Sequence, residues 1–251
     1  MKIRKFIVRL IPPELYKLYR LYKLNRFPQV RLFHLIKNRL PKIKECTICG
    51  WEGKVFIEHT RCPICFSLPR HRLMACILNE NDIKKKNILI IGPDMPEILL
   101  LKKLGNNKVV ILNKEKSIFS DLVFDITNHQ IENNSFDIII MWHVLEHIEQ
   151  DILAVENVYN LLIEGGMFLF SVPIYPLNNK QTFIPDYESI EERDLVTGHP
   201  GHVFCCGEDY AERFVEVCFQ SKDTISAKNY IVGEFNRYHL DSNHLAWRFI
   251  K

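Results

Sequence analysis

The sequence has no apolar run near the roughly 18 residues that a membrane-spanning helix requires, so no transmembrane segment is expected. Nor are the first residues expected to be a secretory leader. Arg9 interrupts the first apolar stretch of "MKIRKFIVRLIPPELYK", Pro12-Pro13 follow at once, and no small-residue cleavage site appears. The expectation is a cytoplasmic chain whose eight cysteines serve as thiols or metal ligands rather than disulfides. Neither an internal repeat nor a low-complexity tract is present, which argues against solenoids and linker-like chains. Acid is nearly absent from residues 1–44, where thirteen Lys/Arg face Glu14 alone; the remainder sets twenty against twenty-nine. A basic arm is thus attached to an acidic body, and that body lacks the basic surplus that nucleic-acid binding demands.

What is present divides into three parts. Residues 1–44 read as two short basic amphipathic helices, 13–26 and 29–40, broken near Pro28 and closed by Pro41. Its "PELYKLYRLYKLNRF" interleaves aromatic and basic side chains, which suits an anionic membrane surface. RNA phosphates, or packing on the body or on a twin subunit, are the other readings. The expectation is peripheral contact with the inner face of the membrane through this arm, with nucleic acid disfavoured.

Residues 45–68 form a cysteine module. Cys46-Thr-Ile-Cys49 and Cys62-Pro-Ile-Cys65 are two C-x-x-C turns separated by twelve residues. Each turn aims two sulfurs at one point, and together they supply the four thiolates that a tetrahedral zinc accepts. Four protein ligands close the shell, so the expected zinc is structural and folds a segment too small for its own core. Unliganded thiols or a redox pair are the alternatives. Cys76, Cys205, Cys206 and Cys218 show no such pattern and read as small buried hydrophobes, and His59 as surface.

From residue 69 to 251 strands alternate with helices, the pattern of an α/β domain with a mostly parallel sheet. "NILIIG" (87–92), "KVVILN" (108–113), "DLVFDI" (121–126), "FDIIIMW" (136–142), "MFLFSVPI" (167–174) and the terminal "HLAWRFIK" read as strands. "QDILAVENVYNLLIEGG" reads as a helix capped by Asp151 and stopped by Gly165-Gly166, and "EDYAERFVEVCF" as another; 175–206 reads as irregular. The loop in "NILIIGPDMPEILLL" has the place of a nucleotide-binding loop, yet it holds one glycine and two prolines.

Several features together resemble the class I S-adenosylmethionine-dependent methyltransferases: "ILIIG" with its loop, "DIT" (125–127), "NNSFDIIIMWHVLEHI" (133–148) and "LLIEGGMFLFSVP" (161–173). "RCPICFSLPRHR" (61–72), "GPD" (92–94) and "GHVFCCGEDYAERF" (201–214) are similar to a subgroup with an N-terminal zinc-knuckle module and an APE-type first loop. The resemblance implies a Rossmann-like seven-stranded sheet that binds S-adenosylmethionine with Gly92, Pro93, Asp94, Asn113, Asp125, Ile126 and His143. Asp125, with the Ile126 backbone, takes the adenine-facing place. Asn113 stands where a ribose-binding acid is usual, with Glu115 two places on, and Ile90 replaces an acidic residue at the end of the first strand. Asp94 is either a carboxylate for the cofactor's ammonium group or a plain helix cap.

Methyl transfer is mostly a matter of holding the acceptor in line, helped by a nearby base. His143 and His147, flanking Glu146, are the candidate catalytic residues. His199 and His202 could join them in a metal site, although nothing in the spacing requires one. Arg70, His71 and Arg72 read either as an anion site or as a solvated helix start. The subgroup implies O-methylation of a sugar or lipid-linked glycan intermediate, or of another small molecule. An RNA methyltransferase and a non-catalytic scaffold with a decayed site are the other readings.

Overall fold

The computed structural model describes residues 44–251, apart from 59, 82, 129, 130, 187, 188, 216–218, 220, 221 and 231. The two helices expected in the basic arm, His59 and Cys218 lie outside the described residues. Those described form two compact units. One takes the residues before Ile83 together with Asp94–Lys103 and Tyr230–Asp241; the other takes Ile83–Pro93, Leu104–Asn229 and Ser242–Lys251.

The first unit begins with a ribbon of β1 (Lys44–Glu45) and β2 (Glu52–Gly53), paired antiparallel. Its two cysteine turns repeat one design. Gly50 N–H donates to the Cys46 carbonyl at 2.8 Å, and Phe66 N–H donates to the Cys62 carbonyl at 3.0 Å. Both donors are left-handed, with φ of 72° and 62°. Glycine adopts that conformation freely; Phe66 pays about 1–2 kcal/mol for it.

Helix α1 (Pro69–Glu80) follows, with Pro69 opening its first turn and Leu73, Met74, Ile77 and Leu78 buried. Arg72 is fully buried. Its guanidinium donates to the carbonyls of Ser67 (2.8 Å), Thr60 (3.0 Å), Tyr238 (2.6 Å) and His239 (3.0 Å), and lies over the Phe56 ring at 4.1 Å. That fork fastens the cysteine module to α1 and to the segment after α6 (Val232–Tyr238). Neither sequence reading of 70–72 survives for His71 and Arg72: both are buried, and Arg72 is spent on backbone carbonyls. Within the same unit, α2 (Met95–Lys103) places Lys103 Nζ 2.7 Å from the Ile48 carbonyl.

The second unit is built on a seven-stranded sheet. β3 (Asn87–Ile91), β4 (Lys108–Asn113), β5 (Leu122–Val123), β6 (Phe136–Trp142) and β7 (Leu162–Ser171) are parallel to their neighbours in the order β5-β4-β3-β6-β7. β9 (Leu245–Ile250) pairs antiparallel with β7 on one side and with β8 (Lys222–Ser226) on the other. Ile88–Ile91 and Ile138–Trp142 are buried throughout, as strands covered on both faces must be. Each such side chain contributes about 1.5–3 kcal/mol. Phe168, Phe170, Phe219, Phe249 and Trp247 stack into the core beside them.

Helix α3 (Asp151–Leu161) ends earlier than Gly165-Gly166 would have stopped it. The correction has a local cause: Leu162 turns extended, with ψ of 143°, and pairs with Phe136, so β7 runs through both glycines. The cap position falls to Gln150, and Asp151 is the first helical residue instead of the cap. It is buried, and its carboxylate accepts from Arg213 Nη2 (2.8 Å), Arg213 Nε (3.1 Å) and the Tyr210 hydroxyl (2.9 Å). In the stretch read as irregular, Ser189 Oγ caps α4 (Ile190–Thr197) by accepting from Glu192 N–H at 3.1 Å, and Gly198 ends it at φ 76°. Of the helix expected at 208–219, the described residues form only α5 (Glu212–Val215). Cys76, Cys205 and Cys206 are buried, and burial pushes the Cys76 thiol up to about 12.

Candidate active site

In open α/β sheets ligands settle beyond the carboxyl ends of the strands. A cleft of about 640 Å³ occupies that position here, at the ends of β3, β5 and β6. Gly92 leaves β3 with φ of 62°, and its N–H donates to the Leu112 carbonyl at 2.8 Å. A Cβ at this position would meet Val144 Cγ2 at 3.1 Å, so the backbone approaches the opposite wall as a side chain could not.

Asp125 and Ile126 form the second edge. Asp125 Oδ1 accepts from Thr127 N–H (3.0 Å) and Thr127 Oγ1 (2.8 Å), a local turn that fixes the carboxylate, while Oδ2 pairs with Lys114 Nζ at 2.8 Å. The Lys114 ammonium holds Asp125 below its ordinary carboxylate value. The Ile126 carbonyl is taken by Asn157 Nδ2 at 2.8 Å, which ties this edge to α3.

The third edge follows β6. His143 carries φ of 57°, and its N–H donates to the Ser171 carbonyl at 2.8 Å as the chain leaves the sheet. A non-glycine residue held left-handed costs about 1–2 kcal/mol, and such strain gathers at functional sites. The turn Leu145–His147 then buries Glu146, whose Oε1 lies 3.6 Å from His143 Nδ1 and 3.9 Å from both His147 Nε2 and His202 Nε2. Burial lowers His147 from its ordinary value and takes His202 down to about 4.

Of the cofactor and catalytic candidates, Gly92, Asp125, Ile126, His143 and His147 thus line one cleft. Pro93 and Asn113 do not; the Asn113 amide donates instead to Ser120 Oγ at 2.8 Å. Asp94 belongs to the other unit. There its carboxylate accepts from Arg70 Nη2 at 2.8 Å, and its N–H donates to Glu97 Oε2 at 3.0 Å, half of a capping box at the start of α2. Lys114, Phe124, Val144 and Gln150 line the cleft without having been singled out in sequence. Lys114 was within reach of inference, since it directly follows the Asn113 that closes β4.

Residues 91–170 match the family model described as a methyltransferase domain. This stretch is a methyltransferase domain. The match runs from Ile91, the last residue of β3, into β7, and so takes in the residues that line the cleft. An S-adenosylmethionine-dependent methyltransferase from Archaeoglobus fulgidus is 14% identical, over 72% of this chain and 92% of that one, with a TM-score of 0.51. It shares the fold of the methyltransferase domain described here. Another, from Mesorhizobium loti, is 14% identical over 71% of this chain and 98% of that one, with a TM-score of 0.48. The CurJ carbon methyltransferase is 14% identical over 71% of this chain, which spans about half (52%) of that longer one, with a TM-score of 0.45. No curated protein matches the chain.

The four cysteines converge in the first unit. Their sulfurs lie within 4.8 Å of one another, with Cys46–Cys65 and Cys49–Cys62 at 3.5 Å. A tetrahedron of sulfurs about 2.3 Å from a zinc has edges of about 3.8 Å. The donor set fits zinc.

Proposed function

We propose that the chain transfers a methyl group from S-adenosylmethionine to a hydroxyl of a sugar or lipid-linked glycan intermediate, and that Cys46, Cys49, Cys62 and Cys65 hold a structural zinc. The observation that carries the reading is the convergence of Gly92, Asp125, Ile126 and His143 on one cleft at the strand ends. S-adenosylmethionine supplies the electrophilic methyl. The chain's part is to bind, orient and deprotonate. Gly92 lets its backbone approach the donor's amino-acid end, and the Asp125–Ile126 edge faces the adenine. His143 and His147 stand at the cleft wall as proton acceptors for the hydroxyl.

The glycan class is supported by the likeness of "CPICFSLPRHR" and its variant first loop to the zinc-knuckle subgroup, together with the basic arm. The acidic body speaks against RNA. The reading places the chain in the cytoplasm, with the arm on the inner face of the membrane. Incubation with methyl-deuterated S-adenosylmethionine and glycan or lipid-linked glycan extracts, followed by mass spectrometry, tests the acceptor. Label in a sugar is the expected result; label only in an added RNA fraction would replace the glycan reading with the RNA one.

A further inference from the structure

The segment after α4 returns two histidines to the turn that follows β6. Val203 N–H donates to the Glu146 carbonyl at 2.7 Å and holds the two stretches together. The His202 ring lies edge-on to His147 at 4.8 Å and tilted to His199 at 4.9 Å, centroid to centroid, and one ligand atom from each ring lies within 4.8 Å of the others. Beneath them Glu146 is 1% exposed.

Each ring is oriented from behind. His147 Nδ1 lies 2.9 Å from the Gly201 carbonyl, and His202 Nδ1 lies 3.1 Å from the Thr197 carbonyl. A carbonyl only accepts, so each Nδ1 carries the hydrogen; in the neutral ring the lone pair then sits on Nε2, the atom that lies 3.9 Å from the Glu146 carboxylate. Two Nε2 atoms stand 3.9 Å from one carboxylate oxygen, which His143 Nδ1 also approaches at 3.6 Å, and together they form a donor set of the kind a cation takes. An imidazole whose far nitrogen donates to a backbone carbonyl is also the usual support of a metal ligand. Gly201 permits the approach: a Cβ there would meet His147 Nδ1 at 3.1 Å and His199 Nδ1 at 3.2 Å. His199 differs from the other two. Its Nδ1 accepts the Gly201 N–H at 3.0 Å, which leaves the hydrogen on Nε2 and makes the ring a neighbouring donor rather than a ligand.

We propose that Glu146, His147 and His202 hold a divalent transition-metal cation, separate from the cysteine site, through one carboxylate oxygen and two Nε2 atoms. A two-histidine, one-carboxylate set suits zinc, cobalt or iron(II) and leaves a position open for water or an acceptor oxygen. Four-coordinate donors about 2.1 Å from a metal stand roughly 3.4 Å apart, so each Nε2, 3.9 Å from the Glu146 oxygen, has about half an ångström to close on that oxygen. His147 also lines the cleft, and a metal there would lower the pKa of an acceptor hydroxyl; both His147 nitrogens are then engaged, and His143 is left as the proton acceptor. The site does not depend on which acceptor the enzyme uses.

The test is cobalt(II) titration of the full metal-free chain under reducing conditions, read by absorption and by metal content after gel filtration. Two classes of bound cobalt are expected: one with thiolate-to-metal charge transfer, from the cysteines, and one with ligand-field bands alone. His202→Gln, with its fold checked by circular dichroism, should lose only the second class, and His199→Ala should keep it. Gly201→Ala should weaken the second class by about 10–100-fold. The proposal fails if the unmutated chain gives no class free of thiolate charge transfer, or if that class persists when His147 and His202 are both replaced.

Discussion

Replacing Asp151 by Ala removes the acceptor for four hydrogen bonds, two from Arg213, one from the buried Tyr210 hydroxyl and one from the Ile152 N–H. Breaking a buried ion pair by deleting one partner typically costs about 3–5 kcal/mol, because the other charge is stranded. The Arg213 side chain is 33% exposed and can turn partly to water, which places the expected loss near the lower figure, about 3 kcal/mol. For a chain of this size that is a fall in melting temperature of about 6–12 °C. Urea unfolding of Asp151→Ala, Arg213→Met and the double variant, followed by tryptophan fluorescence, measures the coupling directly. The double variant should be no worse than Asp151→Ala, since it removes the stranded charge. Asp151 opens α3 immediately after Gln150, which lines the cleft, so the single variant should also weaken donor binding. A loss under about 1 kcal/mol, or strict additivity in the double variant, would refute the reasoning.

Three further outcomes are expected. Burial takes His71 from an ordinary 6.5 down to about 4, so between those values the unfolded chain binds a proton that the folded chain refuses. Stability is then full above pH 6.5 and falls by about 3 kcal/mol as pH drops to 4, and His71→Gln should flatten that slope in denaturation curves taken at several pH values. Arg72→Met leaves four carbonyls without their donor and should cost about 4 kcal/mol, seen as earlier unfolding of the cysteine module in hydrogen exchange. Cys62→Ser should abolish the thiolate-bound metal and lower the melting temperature to that of the chelator-treated parent.

The sheet was legible because its central strands are unbroken apolar runs: "ILII" and "DIIIMW" admit little but burial on both faces. β8 was not, since "KDTIS" on the sheet edge opens with two adjacent charges, holds a single large apolar residue and buries none of the five fully, so it resembles a loop. α4 lay in a stretch whose Pro, Asn and His content masked real signals: Ser189 three residues before Glu192, and Gly198 at the end. The cleft was partly legible. Gly92, Asp125 and His143 stand at strand ends that periodicity could place, whereas the turn of Asn113 towards Ser120 depends on a local hydrogen bond that spacing does not reveal. The approach of His202 to Glu146 was not legible, because only the fold brings these two segments together.

Isothermal calorimetry of the purified chain with S-adenosylmethionine tests the central claim most directly. Saturable one-site binding is expected, weakened at least about tenfold in Gly92→Val, where the left-handed backbone and the Val144 contact both oppose a side chain. An absence of heat at millimolar donor from the folded, unmutated chain would contradict the account.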